Sequence, residues 1–290
     1  MKILITGSKG QLGNALRAAA GRFPQLSLIA VDVDELNITN RSDVLEFIAL
    51  HRPGFIINAA AYTAVDKAED ERPQAGLVNA VAVGHLVAGA LPVGAYLLHV
   101  STDYVFDGKK HTPYLETDLV NPLSVYGQTK LEGEQAALSY KRGIVVRTAW
   151  LYSATGANFL TTMLRLGATR KELKVVNDQF GSPTSAGSLA DALLQIVAQI
   201  ADTPQRFTHG IFHYTNAGVC SWYDFARQIM EKSTSPCHVL PCTTAEYPAK
   251  AHRPAYSVLN CDKIKNTYGI TPPHWQEALD DVMKNEILKS

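Results

Sequence analysis

Cysteine is scarce in this chain, charge of neither sign dominates, and no long apolar run goes uninterrupted. The four cysteines, Cys220, Cys237, Cys242 and Cys261, make no C-x-x-C pair, so neither a disulfide framework nor a zinc-type ligand set is expected. So few thiols suit a reducing compartment, and the expectation is a cytoplasmic chain with no bound metal. Lys plus Arg and Asp plus Glu each number 27. That balance removes the global field that would draw the chain to nucleic acid or an anionic membrane, so an anionic ligand must be held by local groups. The longest apolar stretch, 80–100, contains Gly84, His85, Gly89, Pro92 and Gly94. It reads as a buried helix broken at Pro92 and followed by a strand, not as a membrane span. Met1 to Ile5 is too short to be a signal-peptide core before Gly7 interrupts it. No internal repeat or low-complexity tract appears. What is present is globular: 46% hydrophobic and 19% charged residues over 290 positions, enough for one large α/β domain or two modest ones.

The first half alternates strand and helix signals. Short apolar runs at 2–6, 26–33, 55–57 and 96–100 are separated by helical patterns at 11–20, 41–51, where Asn40 or Ser42 can cap, and 73–90. Continuous apolar strands between helices predict an α/β fold, a doubly wound parallel sheet of the Rossmann kind covered on both faces. After about Arg147 the pattern loosens. Gly, Pro, Asn and aromatic residues thicken, helices are expected at 222–232 and 275–288, and a Pro-rich stretch runs from 236 to 254. The expected division is a dinucleotide-binding domain over 1–150 and a smaller, mixed substrate lobe over 151–290, with segments near 175–200 returning to the first.

Gly7-Ser8-Lys9-Gly10-Gln11-Leu12-Gly13 joins the first strand to the first helix. Gly7 allows the tight turn, Gly10 lets a pyrophosphate approach the backbone, and Gly13 allows close helix packing. The free N–H groups of the helix start supply the anion site. Glycine trios also serve as plain turns; the position at a strand-to-helix junction favours the dinucleotide reading. Asp32, 19 residues after Gly13, is placed to accept from ribose hydroxyls, although a solvated loop carboxylate beside Asp34 and Glu35 would look the same. An acid there favours NADH and Lys9 pulls towards NADPH, so both cofactors stay open.

Tyr126 and Lys130 stand four residues apart, on one face of a helix, with roughly 6 Å between Cβ atoms. A phenol titrates near 10 and is a weak acid–base catalyst at neutral pH; a neighbouring ammonium is expected to lower that value. The same spacing also occurs on ordinary helix surfaces. The surrounding order decides the reading. Ser101 or Thr102 leaves the fourth strand at its carboxyl end, where ligands bind in open sheets. Glycine loop, strand-four hydroxyl and Y-x-x-x-K follow one another as in short-chain dehydrogenases.

On these residues the chain resembles the extended short-chain dehydrogenase/reductases and, more narrowly, their dTDP-4-dehydrorhamnose reductase branch. The matching runs are Asn58–Glu69, Ser101–Phe106, Asn121–Lys130, Arg147–Tyr152, Asn177–Thr184 and Arg253-Pro254, which span almost the whole chain. The resemblance implies reduction by NADPH or NADH of a C4 ketone on a dTDP-sugar, with Thr102, Tyr126 and Lys130 as the catalytic triad. It implies that Ala59, Ala60, Ala61, Tyr62, Thr63 and Val100 lie along the cofactor, together with Tyr126 and Lys130, and that Asn37 and Ile38 lie near the adenine. Asp103, Trp150 and Arg253 are implied at the substrate; Trp150 also reads as a core aromatic and Arg253 as a loop brace. Sugar-nucleotide 4,6-dehydratases carry an acid where Tyr104 stands, so elimination is disfavoured. Asn14-Ala15 stands where some relatives place a metal-bridging glutamate, so a monomer or weak homodimer is expected. The rival readings are another nucleotide-sugar reductase, an epimerase, and a non-catalytic dinucleotide-binding subunit.

Overall fold

The computed structural model describes residues 1–247 and 249–284. From the start, β1 (Lys2–Thr6) leads through the glycine turn into α1 (Gln11–Ala19). β2 (Ser27–Val31) and α2 (Arg41–His51) follow, and the Asn40 side chain caps α2 by accepting from the Ser42 N–H at 3.2 Å. β3 (Phe55–Asn58) is buried throughout. After the single turn α3 (Val65–Ala68), α4 (Arg72–Gly76), a π turn over 77–81 and α5 (Ala82–Val93) run on as one helical stretch. The expected break at Pro92 does not occur. A proline in the last turn removes only one helical N–H bond, and the chain instead ends α5 at Gly94, whose φ of 70° makes the left-handed cap. β4 (Tyr96–Thr102), α6 (Val125–Leu138) and β5 (Gly143–Thr148) complete the first half.

Further on come β6 (Leu151–Tyr152), α7 (Phe159–Gly167), β7 (Glu172–Val176), β8 (Phe180–Gly181), β9 (Thr184–Ser185) and α8 (Ala186–Asp202). β10 (Gly210–His213), β11 (Cys220–Ser221), α9 (Trp222–Lys232), β12 (His238–Cys242), α10 (Asp262–Tyr268) and α11 (Trp275–Val282) follow. The helix expected over 275–288 is α-helical to Val282; its last residues, 285–288, lie outside the described residues.

Six parallel strands form the central sheet in the order β10-β5-β4-β3-β1-β2. One face buries Ile3, Ile5, Phe55, Leu98 and Val146 under α1, α8 and Ile264 of α10. The other buries Leu4, Ile56, Leu97 and Val145 under α2, α5 and Tyr140. This is the doubly wound α/β architecture. The order reverses between β1 and β3, so a crevice opens there at the carboxyl ends of the strands. The helical stretch Arg72–Val93, 22 residues with mean hydropathy 1.7, is long and apolar enough to cross a membrane by length and composition. Here it is the crossover from β3 to β4 and packs against α2 and α6. A third apolar cluster, centred on Tyr152, Phe225 and Trp275, lies apart from the main sheet.

Candidate active site

A cavity of about 860 Å³ opens at the switch point, walled by the ends of β1, β3 and β4 and by the start of α6. Of the residues expected at a cofactor, Gly7, Gly10, Gln11, Leu12, Asp32, Asn37 and Ile38 line one end. Ala59, Ala60, Ala61, Thr63 and Val100 continue the wall towards Tyr126 and Lys130. Gly7 has a φ of +69°, and a Cβ there would meet the Ala60 backbone at 2.7 Å. Glycine is therefore required both for the turn and for the approach of the two loops. Gly10 precedes α1 with no side-chain cap, so the first-turn N–H groups of α1 have no intrahelical acceptor and face the cavity end. These features fit a dinucleotide pyrophosphate.

Gly13 and Tyr62 do not line this wall. A Cβ on Gly13 would meet Gly7 O at 2.2 Å, so Gly13 lets α1 press on the loop. The Tyr62 backbone is clamped by buried Asn79, which accepts from its N–H at 2.8 Å and donates to its carbonyl at 3.2 Å. The Tyr62 phenol donates to Glu71 instead, at 2.6 Å. Asn79 sits in the π turn and also donates to Thr129 of α6 at 3.1 Å, so one amide braces the 59–63 loop against the helix carrying Tyr126. Asp32 accepts from the backbone N–H of Lys9 at 2.8 Å. The Lys9 ammonium is held by Asp34 at 2.6 Å and Glu35 at 3.3 Å.

At the other end, Ser124 caps α6 by accepting from Gly127 N–H at 3.1 Å, and Glu69 accepts from Val125 N–H at 2.9 Å. The Tyr126 ring stands edge-on to Tyr104, 5.5 Å between centroids. Burial raises the Tyr126 phenol above its ordinary value, although a hydrogen bond between it and Thr102 pulls the other way. Lys130 does not lower it in this geometry, contrary to the expectation from spacing. Its Nζ donates to Val100 O at 2.7 Å and lies 3.4 Å from His99 Nε2, so a shared helix face did not bring ammonium to phenol. Burial also lowers the Lys130 ammonium, to about 8, while Glu134 raises it.

Thr102 donates to Asp103 Oδ1 at 3.0 Å and accepts from Tyr104 N–H at 3.2 Å. Asp103 is buried, and desolvation raises its carboxyl to about 6 although Ser257 and Thr102 hydrogen-bond to it. Arg253 pairs with Asp66 at 2.9 Å and donates to Tyr104 Oη at 3.4 Å. Trp150 is a non-glycine residue at φ 50°, a strained conformation of the kind that collects at functional sites. Its ring stacks on Trp222 at 3.5 Å and 7°, and both rings face the cavity. Trp222, Asn79 and His99 were not singled out from sequence: each looks locally like an ordinary helix or strand residue, and only the long-range packing gives it a partner.

Sheet order, switch-point crevice and glycine turn define a dinucleotide-dependent oxidoreductase of the extended short-chain type. Sequence comparison narrows this. Residues 1–287 match the model of the RmlD substrate binding domain family, and the chain belongs to that family. A dTDP-4-dehydrorhamnose reductase of Aggregatibacter actinomycetemcomitans is 43% identical over 97% of this chain and 98% of its own. A solved dTDP-4-dehydrorhamnose reductase from Clostridium acetobutylicum, 43% identical, superposes with a TM-score of 0.93 over 100% of both chains. A Bacillus anthracis dTDP-4-dehydrorhamnose reductase solved with NADP, 36% identical, gives 0.91 over 97% of this chain and 98% of its own.

Proposed function

We propose that this protein reduces the C4 ketone of dTDP-4-dehydro-L-rhamnose to the alcohol of dTDP-L-rhamnose, with NADPH or NADH as the reductant. The observation that carries it is one cavity walled at one end by the glycine turn and at the other by Thr102, Tyr126 and Lys130. The bound dinucleotide supplies the hydride. Gly7, Gln11 and Leu12 hold its diphosphate by backbone N–H groups, while Gly10, whose own N–H is donated to Gly7 O at 3.1 Å, lets it approach the backbone and Gly13 packs close behind. Asp32, Asn37 and Ile38 take its adenosine half. The 59–63 loop and Val100 bound the remainder, with Tyr62 acting through its backbone. Tyr126 gives its proton to O4. A phenol raised by burial keeps that proton until the ketone oxygen becomes basic. Lys130 anchors the ribose near the nicotinamide.

Thr102 and Asp103 orient the sugar beside Tyr126, Trp150 forms the wall behind it, and Arg253 meets the diphosphate of the nucleotide. The nucleotide supplies binding energy remote from the reacting carbon, which is used to position it. The buried members of the third apolar cluster all lie after 150, with Trp150 packed against them. The cluster supports a substrate lobe beginning near 151, with α8, β10 and α10 returning to the dinucleotide lobe. The substrates are charged and water-soluble, and we place the reaction in the cytoplasm, carried out by a monomer or weak homodimer.

The test is a coupled assay in which the preceding reactions generate the 4-dehydro sugar and oxidation of NADPH or NADH is followed. Stoichiometric oxidation with formation of dTDP-L-rhamnose supports the proposal. Sugar interconversion without net oxidation reassigns the chain to an epimerase, and dinucleotide binding without turnover leaves a non-catalytic subunit.

A further inference from the structure

Three polar side chains cross the sheet in a row just behind the cavity. Thr6, Asn58 and His99 are register partners on β1, β3 and β4, and all are buried: 1%, 0% and 0% exposed. Apolar side chains would fill such a row without a polar desolvation cost, whereas buried polar groups persist only when paired. Here each is paired. Thr6 Oγ1 lies 2.7 Å from Asn58 Oδ1, Asn58 Nδ2 lies 3.0 Å from His99 Nδ1, and His99 Nε2 lies 3.4 Å from Lys130 Nζ. The helix is shaped for that last contact. A Cβ on Gly133 would lie 3.3 Å from His99 Nε2 and 2.0 Å from the Asn79 carbonyl, so only glycine lets α6 settle close enough for Lys130 to reach the imidazole.

We propose that His99, held by Asn58, is a positioning residue for Lys130: its Nε2 accepts from the ammonium and fixes where the remaining hydrogens of that ammonium point. The proposal rests on the role given to Lys130 above. An ammonium has three donors and no acceptor. Val100 O takes one and His99 the second, which leaves the third for the cavity. The row can run in two directions. When the Asn58 amide donates to Nδ1, Nε2 carries the proton and meets a neutral amine. When the amide is turned, Nδ1–H donates to Asn58 and Nε2 is free to accept from the ammonium. The direction of the row therefore follows the charge of Lys130. Burial and the Lys130 charge hold the His99 imidazole well below its ordinary value, so it stays neutral and does not compete as a cation. The other titratable or charged groups around the pair are Tyr126 and Glu134 on α6, Asp103 and Tyr104 after β4, and Arg147 of β5, which is bound to Glu134 at 2.7 Å.

Two substitutions separate acceptor from bulk. Gln at position 99 can carry an amide oxygen to the place of Nε2, whereas Asn stops at the place of Nδ1. His99→Asn removes an acceptor from the charged form, and hydrogen bonding to the charged form raises an amine pKa. The alkaline limb of the kcat profile therefore falls by about one unit. His99→Gln keeps the parent limb. Coincident profiles for parent and His99→Asn, or equal shifts in both variants, overturn the proposal. A second measurement uses the unaltered full chain with ¹⁵N-labelled histidine. The His99 Nε2 resonance moves between its two tautomeric positions with the midpoint of Lys130, and a flat trace through that midpoint overturns the proposal. If the parent chain does not turn over the substrate at all, the reductase reading fails, while the resonance titration still decides the pair.

Discussion

At the scale of single residues, the site sets up two proton carriers in opposite senses. Tyr126 is held protonated by burial, which suits a group that must deliver a proton to a developing alkoxide. Tyr126→Phe keeps the ring and removes only the proton, so kcat drops by ~10²–10⁴-fold while dinucleotide affinity measured by fluorescence titration is retained. A loss smaller than about tenfold would assign the proton to another group. Lys130→Met differs, because its ammonium faces both the cavity and the sheet; kcat and dinucleotide affinity both fall, and unchanged affinity would remove the ribose contact from its role. Asp103 behaves as a carboxyl raised to about 6. Its ionised form accepts the Thr102 hydroxyl at 3.0 Å, whereas its protonated form is itself a donor and breaks that arrangement. Activity that needs the ionised form is full above pH 6 and is lost as pH falls through it. The pH profile of kcat/KM should therefore show an acid limb near 6, and Asp103→Asn should show a low, flat profile without that limb.

At the scale of elements, α6 controls the site because its first turn docks on the turn after β4. A Cβ on Gly127 would meet the Tyr104 carbonyl at 2.2 Å, and backbone cannot yield as a flexible side-chain tip does. Gly127→Ala should destabilise the fold by about 1–3 kcal/mol as an overpacked contact does, and should lower kcat more than it raises KM by parting Tyr126 from Thr102. Gly84 in α5 has open space where a Cβ would stand. Gly84→Ala should stabilise by about 0.5–1 kcal/mol through the unfolded state, with activity unchanged. Denaturant unfolding of the two variants against the parent checks both signs; a stabilised Gly127→Ala would mean that the α6 contact is not tight. The same comparison marks what sequence reading sees. A glycine trio at a strand end has a local signature, and so do Asn40 as a cap and the run of helix after β1. The π turn that aims Asn79 has none, because it is imposed by what α4 and α5 pack against.

At the scale of the whole molecule, the alternating apolar runs made the doubly wound sheet readable, and the long Asn58–Glu69 run was legible as a family trait. Its physical reasons were not: Asp66 ties Arg253 and the Ala251 N–H, while Glu69 holds the start of α6, contacts that join residues more than fifty positions apart. Likewise β10 enters the central sheet beside β5 after a long detour, and no local pattern announces its partner. His99 and His213 are fully buried in this framework, and that shapes stability against acid. Burial, aided by nearby cations, lowers both imidazoles, His213 to about 3 and His99 well below its ordinary 6.5. As pH falls below 6.5 the unfolded chain takes up two protons that the folded chain refuses, so stability falls with pH. Asp103 opposes this, since its folded carboxyl keeps its proton up to about 6 and its unfolded one only to 3.8. Glu116, also raised by burial, acts with Asp103. Across these four groups, two protons against at least one leave a net slope of about 1.4 kcal/mol per pH unit or less between pH 6 and 5. Urea unfolding at pH 7, 6 and 5 should therefore give decreasing stability, and His213→Gln should flatten the dependence by removing one of the two refusals. Stability that rises from pH 6 to 5 in the parent would mean that the carboxyls outweigh the histidines, and that the polar row behind Lys130 sits in a less demanding environment than its burial implies.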